Sequence, residues 1–378
     1  MTTDPRDVQL AEMLVAYSVA AKPGELVFIQ CIGADTLALG HACQKAAAAA
    51  GAAPFLHFQD PAAHREYLMT CDDEGLRRLA RFETVQMKDA DCYIGIRGAG
   101  NIFETSDVPQ DRMKAYMDIV YKPVHLQHRV KGTRWCVLRY PNPGMAQLAQ
   151  KSTAAFAGFY YDVCLVDYAR MAKAVQPLKD LMLRTDRLEI TGPGETNLTM
   201  SIKDIGVVPC CGNHNIPDGE CFSAPVRDSV NGVIQFNTPT VYQGMPFDNV
   251  RLEFREGKVV DARAANPKQT KALNEILDRD EGARYLGEVS VGFNPAVREA
   301  MRDILFDEKI GGSLHMALGE CYDEAPNGNQ SGIHWDLVLI QREEYGGGEI
   351  RFDGRLIRKD GVFVVDELKG LNPEAFGK

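Results

Sequence analysis

Apolar positions in the first half of the chain alternate between helical and strand-like spacing. Asp7 to Ala21 carries them at helical intervals. Glu25–Cys31 (ELVFIQC), opened by Pro23-Gly24, is a continuous apolar run that predicts a buried strand. The alanine-rich stretch Thr36–Ala50 predicts a helix and Pro54–Phe58 a short strand. Further strands are expected at Asp91–Ile96 (DCYIGI) and Arg134–Leu138 (RWCVL), with helices near Asp73–Ala80, Gln110–Ile119 and Met145–Phe156. Strands alternating with helices predict a mostly parallel sheet wrapped by helices. Residues 1–184 therefore read as an α/β N-terminal domain.

The pattern changes near Asp186. Arg187–Ile202 alternates with period two on both sides of Gly192-Pro193-Gly194, which predicts a hairpin. More strands are expected near Val230–Phe236, Val250–Arg255 and Val259–Arg263. Asp261–Asp280 reads as mostly helical, and a second helix is expected from about Pro295 to Leu305. Leu314–Leu318, Ile333–Ile340, Ile350–Phe352 and Val362–Val365 again read as strands. Residues 185–378 are thus an α+β C-terminal domain. The loop Arg97-Gly98-Ala99-Gly100-Asn101 lacks the third glycine of a dinucleotide fingerprint and reads as a plain turn.

Composition adds exclusions. The chain has 378 residues, a length that suits two domains. Its net charge of −10, with no basic block, argues against nucleic acid as a partner. No apolar run approaches the roughly 18 residues of a membrane span, and the N-terminus lacks the basic start of a secretory signal. Ten cysteines are scattered without a CxxC pair, so a Cys-type zinc site is not expected and a reducing, cytoplasmic setting is.

The chemistry-bearing residues lie in the second half. In Gly332–Ile340, alternation puts His334 and Asp336 on one face of a strand and Ile333, Trp335, Leu337 and Leu339 on the other. Imidazole plus carboxylate on one face suits a first-row metal, although two polar residues on a surface strand would look the same. Glu288 sits in the strand-like run Tyr285–Asn294, where an inward carboxylate needs a partner. His315 shares its face with Ser313 and Ala317, whose small side chains leave room for a ligand; a histidine bonded to a carbonyl is the competing account. Glu220 follows the turn Pro217-Asp218-Gly219. His214 is a further possible ligand, read as a surface or outer residue. Nitrogen and oxygen donors without thiolate point to zinc, cobalt, manganese or iron, and the surplus carboxylates hint at two ions about 3.5–4 Å apart.

Five blocks then carry a resemblance: Asn215–Pro225 (NIPDGECFSAP), Arg227–Gly232, Asp280–Ser290, Phe306–Glu320 (FDEKIGGSLHMALGE) and Ser331–Leu337 (SGIHWDL). In order and content they resemble the aminopeptidase T family of metallopeptidases. The resemblance implies that Glu220, Glu288, His315, His334 and Asp336 are ligands of a two-metal centre served by cobalt, zinc or magnesium. It implies that Tyr322 stabilises the tetrahedral intermediate and that the protein is a homodimer. The connection Asp323–Ile333 is eleven residues, shorter than in larger family members, which leaves substrate preference open.

The expected activity is hydrolysis of an N-terminal peptide bond or a related amide, with Glu220 or Glu288 as base. One alternative is a hydrolase for a specialised small amide. Another is a ring-cleaving dioxygenase of the 2,5-dihydroxypyridine type, a similar fold with one ferrous ion on two histidines and an aspartate; a histidine of that scheme falls here on Glu288.

Overall fold

Strand β1 (Leu26–Ile32) is buried along nearly its whole length, because both of its faces are covered. The computed structural model of the chain describes residues 4–377. Around β1, strands β2 (Ala53–Gln59), β3 (Cys92–Arg97) and β4 (Arg134–Arg139) add in parallel register. The chain leaves this sheet, forms β5 (Val208–Cys210) elsewhere, and returns with β6 (Asn215–Ile216), which pairs parallel to β4. The sheet order is β2-β1-β3-β4-β6.

Side chains mark where its helices begin. Asp60 accepts from the Ala63 amide ahead of Pro61–Thr70, and Asp72 from the Gly75 amide ahead of Asp73–Asp89. The single helix expected at Met145–Phe156 is two, Pro143–Leu148 and Thr153–Cys164. Gln150 between them takes a φ of 56°, and Ser152 caps the second helix through the Ala155 amide.

The compact units are Met1–Leu165 with Gly212–Pro217, and Val166–Cys211 with Asp218–Lys378. The helices Tyr168–Ala174 and Gln176–Arg184 belong to the second unit, which is otherwise dominated by antiparallel sheet. Its larger sheet has eight strands and includes the expected hairpin, Arg187–Thr191 against Asn197–Ser201. The smaller sheet positions the candidate site. Its order is β10 (His334–Ile340), β9 (Ser313–Gly319), β8 (Leu286–Gly292), β7 (Glu220–Ser223) and β5.

Two helical expectations are corrected in this unit. The stretch expected as helix over Asp261–Asp280 begins as the end of a strand, Lys258–Arg263, and only Pro267–Leu277 is helical. The helix expected from Pro295 to Leu305 is absent; one short turn, Ile304–Asp307, remains. The buried Asp307 carboxylate accepts from the amides of Met301 and Arg302, and Asn294 accepts from the Ala296 amide. Side chains thus satisfy backbone groups that a helix would otherwise have used. Among the described residues, no helix is long and apolar enough to cross a membrane.

Candidate metal centre

Register assembles the site. Gly292 of β8 pairs with Glu220 of β7, Ser290 with both Phe222 and His315, and Glu288 with Ala317. On the far side, Ala317 pairs with Asp336 and Gly319 with His334. Because side chains alternate along each strand, Glu220, Glu288, His315, His334 and Asp336 all project from one face. Trp335 lies on the opposite face, stacked on Tyr242 with 4.5 Å between ring centroids. A β-bulge between Leu286 and Glu288 re-aims the start of β8. Gly287 sits in the bulge, where an added Cβ would lie 2.2 Å from the Glu320 carbonyl oxygen.

Three of the five side chains are deeply buried, with 5% of Glu220, 3% of Glu288 and 1% of His315 exposed. His315 Nε2 lies 3.1 Å from a Glu220 oxygen and 3.1 Å from Glu288 Oε1. His334 Nε2 lies 3.3 Å from Glu288 Oε2 and 3.5 Å from Asp336 Oδ1. Glu288 therefore faces one histidine with each oxygen.

Both histidines are held from behind. Nδ1 of His315 donates to the Glu308 carbonyl at 3.1 Å, and Nδ1 of His334 to the Glu320 carbonyl at 2.8 Å. A carbonyl only accepts, so the proton sits on Nδ1 and Nε2 is the nitrogen that faces the carboxylates. This is how metal-binding imidazoles are generally oriented.

Electrostatics show what the cluster lacks. Burial works against charge on His315, but Glu220, Glu288 and Asp336 outweigh it and push its pKa up to about 10. His334 also moves upward, against burial, because of Asp336 and Glu288. Burial would raise Glu220, yet Lys309 and His315 hold it below the usual carboxylate range. Glu288 is likewise held low by both histidines. The cluster thus recruits positive charge. His334 Nε2 and Asp336 Oδ1 are nevertheless buried without a hydrogen-bond partner. Two donor triads, Glu220–Glu288–His315 and Glu288–His334–Asp336, each bring their ligand atoms within 4.8 Å of one another and share Glu288. The residues fit divalent cations bound through oxygen and nitrogen.

Tyr322 stands at the rim, 45% exposed, its ring 4.7 Å from that of His334 and 5.4 Å from that of Phe222. All six residues singled out in the sequence therefore meet in one place. His214 does not: it belongs to the first unit, with its ring 4.6 Å from that of Trp135.

Sequence reasoning missed Lys309, Glu308, Asp218 and Ser290. Lys309 is fully buried and ion-paired with Glu220, with Glu308 at 2.8 Å and with Asp218 at 3.6 Å. Ser290 donates to Glu220 at 2.9 Å. Burial, opposed by Lys309 and assisted by Glu220 and Asp336, pushes Glu308 up to about 8. The one signal available was a charged run, Asp307-Glu308-Lys309, set between apolar Phe306 and Ile310.

Known proteins share this architecture. Aminopeptidase T of Thermus aquaticus is 32% identical over 207 residues, 48% of this chain and 47% of its own length. The chain thus matches less than half of that relative. A solved structure, wild-type AmpT from Thermus thermophilus, superposes with a TM-score of 0.79 at 21% identity, covering 96% of this chain and 100% of that one. A 2,5-dihydroxypyridine dioxygenase from Pseudomonas putida KT2440 has the same fold at a TM-score of 0.64 and 14% identity, covering 96% and 98%. The family model described as thermophilic metalloprotease (M29) matches residues 4–361. With nearly the whole chain matched, this protein belongs to the thermophilic metalloprotease (M29) family.

Proposed function

We propose that this chain is a metal-dependent aminopeptidase that hydrolyses the N-terminal peptide bond of small peptides. Two divalent ions would be held by Glu220, Glu288, His315, His334 and Asp336 in the second unit. The observation that carries this reading is the two-sided use of Glu288, which is common to both donor triads. Lys309 is ion-paired with Glu220, Glu308 and Asp218, which leaves Glu288 and Asp336 to face the two histidines.

When bound, such ions supply Lewis acidity and a coordinated water whose pKa falls to about 7. A free α-amine could bind one of the ions, which would explain selectivity for chain termini. The chain's own groups do the rest. Glu308, whose carboxylate lies beside His315 and Asp336, would serve with Glu220 and Glu288, the two that the sequence suggested, as a candidate base for the attacking water. Tyr322 donates a hydrogen bond to the developing oxyanion. The rings of Phe222 and Tyr322 offer an apolar wall to the first side chain. A homodimer in a reducing cytoplasm completes the proposal.

Elemental analysis with an aminoacyl-arylamide assay on the metal-loaded protein tests it. Two ions per chain and chelator-sensitive release of the arylamine are expected. One ion per chain without peptidase activity would sink the reading. Oxygen uptake with dihydroxylated aromatics by the ferrous protein would replace it with ring cleavage.

A further inference from the structure

Cys210, Asp218 and Glu220 form a third group whose donor atoms lie within 4.8 Å of one another. Lys309 already serves it. Its ammonium pairs with Glu220 Oε1 and lies 3.6 Å from Asp218 Oδ1, and none of the side chain is exposed. The contacts divide the labour of Glu220: Oε1 goes to Lys309, whereas Oε2 accepts from Ser290 and faces His315. A carboxylate free at both oxygens could instead turn to a cation on the Cys210 side.

We propose that Lys309 is a built-in cation that fills the Cys210–Asp218–Glu220 position and thereby keeps Glu220 turned toward His315 and Glu288. Lys309 is then a positioning residue, acting on the metal centre through Glu220 and through Glu308, with which it also pairs at 2.8 Å. The proposal rests on the reading of the neighbouring cluster as a metal centre. It explains why a lysine is buried among carboxylates: removing an ammonium from water is costly unless several partners compensate it. It also explains why a thiol beside this centre stays out of it. Cys210 lies at the position that the Lys309 ammonium fills, and a metal there would bind it as thiolate.

Titration with Co²⁺ reads this directly, since a thiolate on cobalt gives a near-ultraviolet charge-transfer band that nitrogen and oxygen donors do not. In Lys309→Met, the count of bound cobalt should rise by one, the thiolate band should appear, and affinity at the original positions should fall by roughly tenfold. Adding Cys210→Ser should abolish the band, and Lys309→Arg should behave as the unmodified chain. Asp218→Asn retains Lys309 and should bind the unmodified number of ions; loss of an ion there would show that the triad is itself a metal site and overturn the proposal, even if Lys309→Met does not fold. A Lys309→Met protein with unchanged cobalt count, affinity and spectrum would equally overturn it, while leaving the metal-centre reading intact. An unmodified chain that binds no cobalt overturns both.

Discussion

Nδ1 of both His315 and His334 is committed to a backbone carbonyl, so neither ring can turn its other nitrogen away from the carboxylates. Glu288 between them is the residue whose replacement is most informative. Glu288→His keeps a donor but cannot present one oxygen to each histidine. Metal content should fall from two ions per chain to one, with loss of hydrolysis; an unchanged ion count by elemental analysis would show that Glu288 is not shared. Tyr322 predicts a different signature. Its ring packs on His334 while nearly half of it remains exposed, so its removal should leave the ligands in place. Tyr322→Phe is expected to lower kcat by about 10²–10³-fold at constant metal content, in the range of a lost oxyanion donor. A parallel fall in metal content would assign the tyrosine to structure instead.

Strands were the elements most legible in the sequence, because period-two alternation survives into the fold wherever one face is buried. Even so, the bulge at Gly287 could not be read, since it depends on the Glu320 carbonyl just beyond the end of β9. Helix Pro295–Leu305 failed for a related reason: the buried carboxylate of Asp307 competes for its amides. In the first unit, the helical segment Met117–Arg129 carries a pH-sensitive feature. His125 is 7% exposed, and burial, with Arg129 and Arg97 nearby, pushes its pKa down to about 3. A histidine depressed in the fold stays neutral while the unfolded chain protonates. Stability is therefore unaffected above pH about 6.5 and is lost as pH falls from there toward 3, by up to about 1.4 kcal/mol per pH unit. Urea midpoints at pH 7 and pH 4.5 check this. The drop should shrink in His125→Leu, and equal drops in both proteins would remove His125 as the cause.

At the scale of the molecule, the candidate centre gathers five carboxylates and two histidines from four strands and two connecting segments of the second unit. In the absence of ions, that much buried negative charge is offset only by Lys309 and by protons on the histidines. Divalent ions should therefore stabilise the folded chain by mass action, about 4 kcal/mol at a thousandfold excess over Kd, and should displace protons as they bind. Calorimetry in two buffers of different ionisation enthalpy is expected to show proton release, and chelation is expected to lower Tm. Identical melting with and without chelator would contradict a metal-organised second unit.

The sequence by itself displayed the α/β and antiparallel patterns, the strands that line the candidate site, and five candidate donors plus a tyrosine, because alternation and donor type are local properties that a single strand displays. It also carried the family, through blocks whose order survives over the whole second half. Only the tertiary structure decided how those strands register, and with it the sharing of Glu288 between two histidines. It alone revealed Glu308 and Asp218 beside the centre and the buried ammonium of Lys309. A charged run in a polar turn looks solvated in one dimension; whether it is buried depends on which carboxylates the fold brings to meet it.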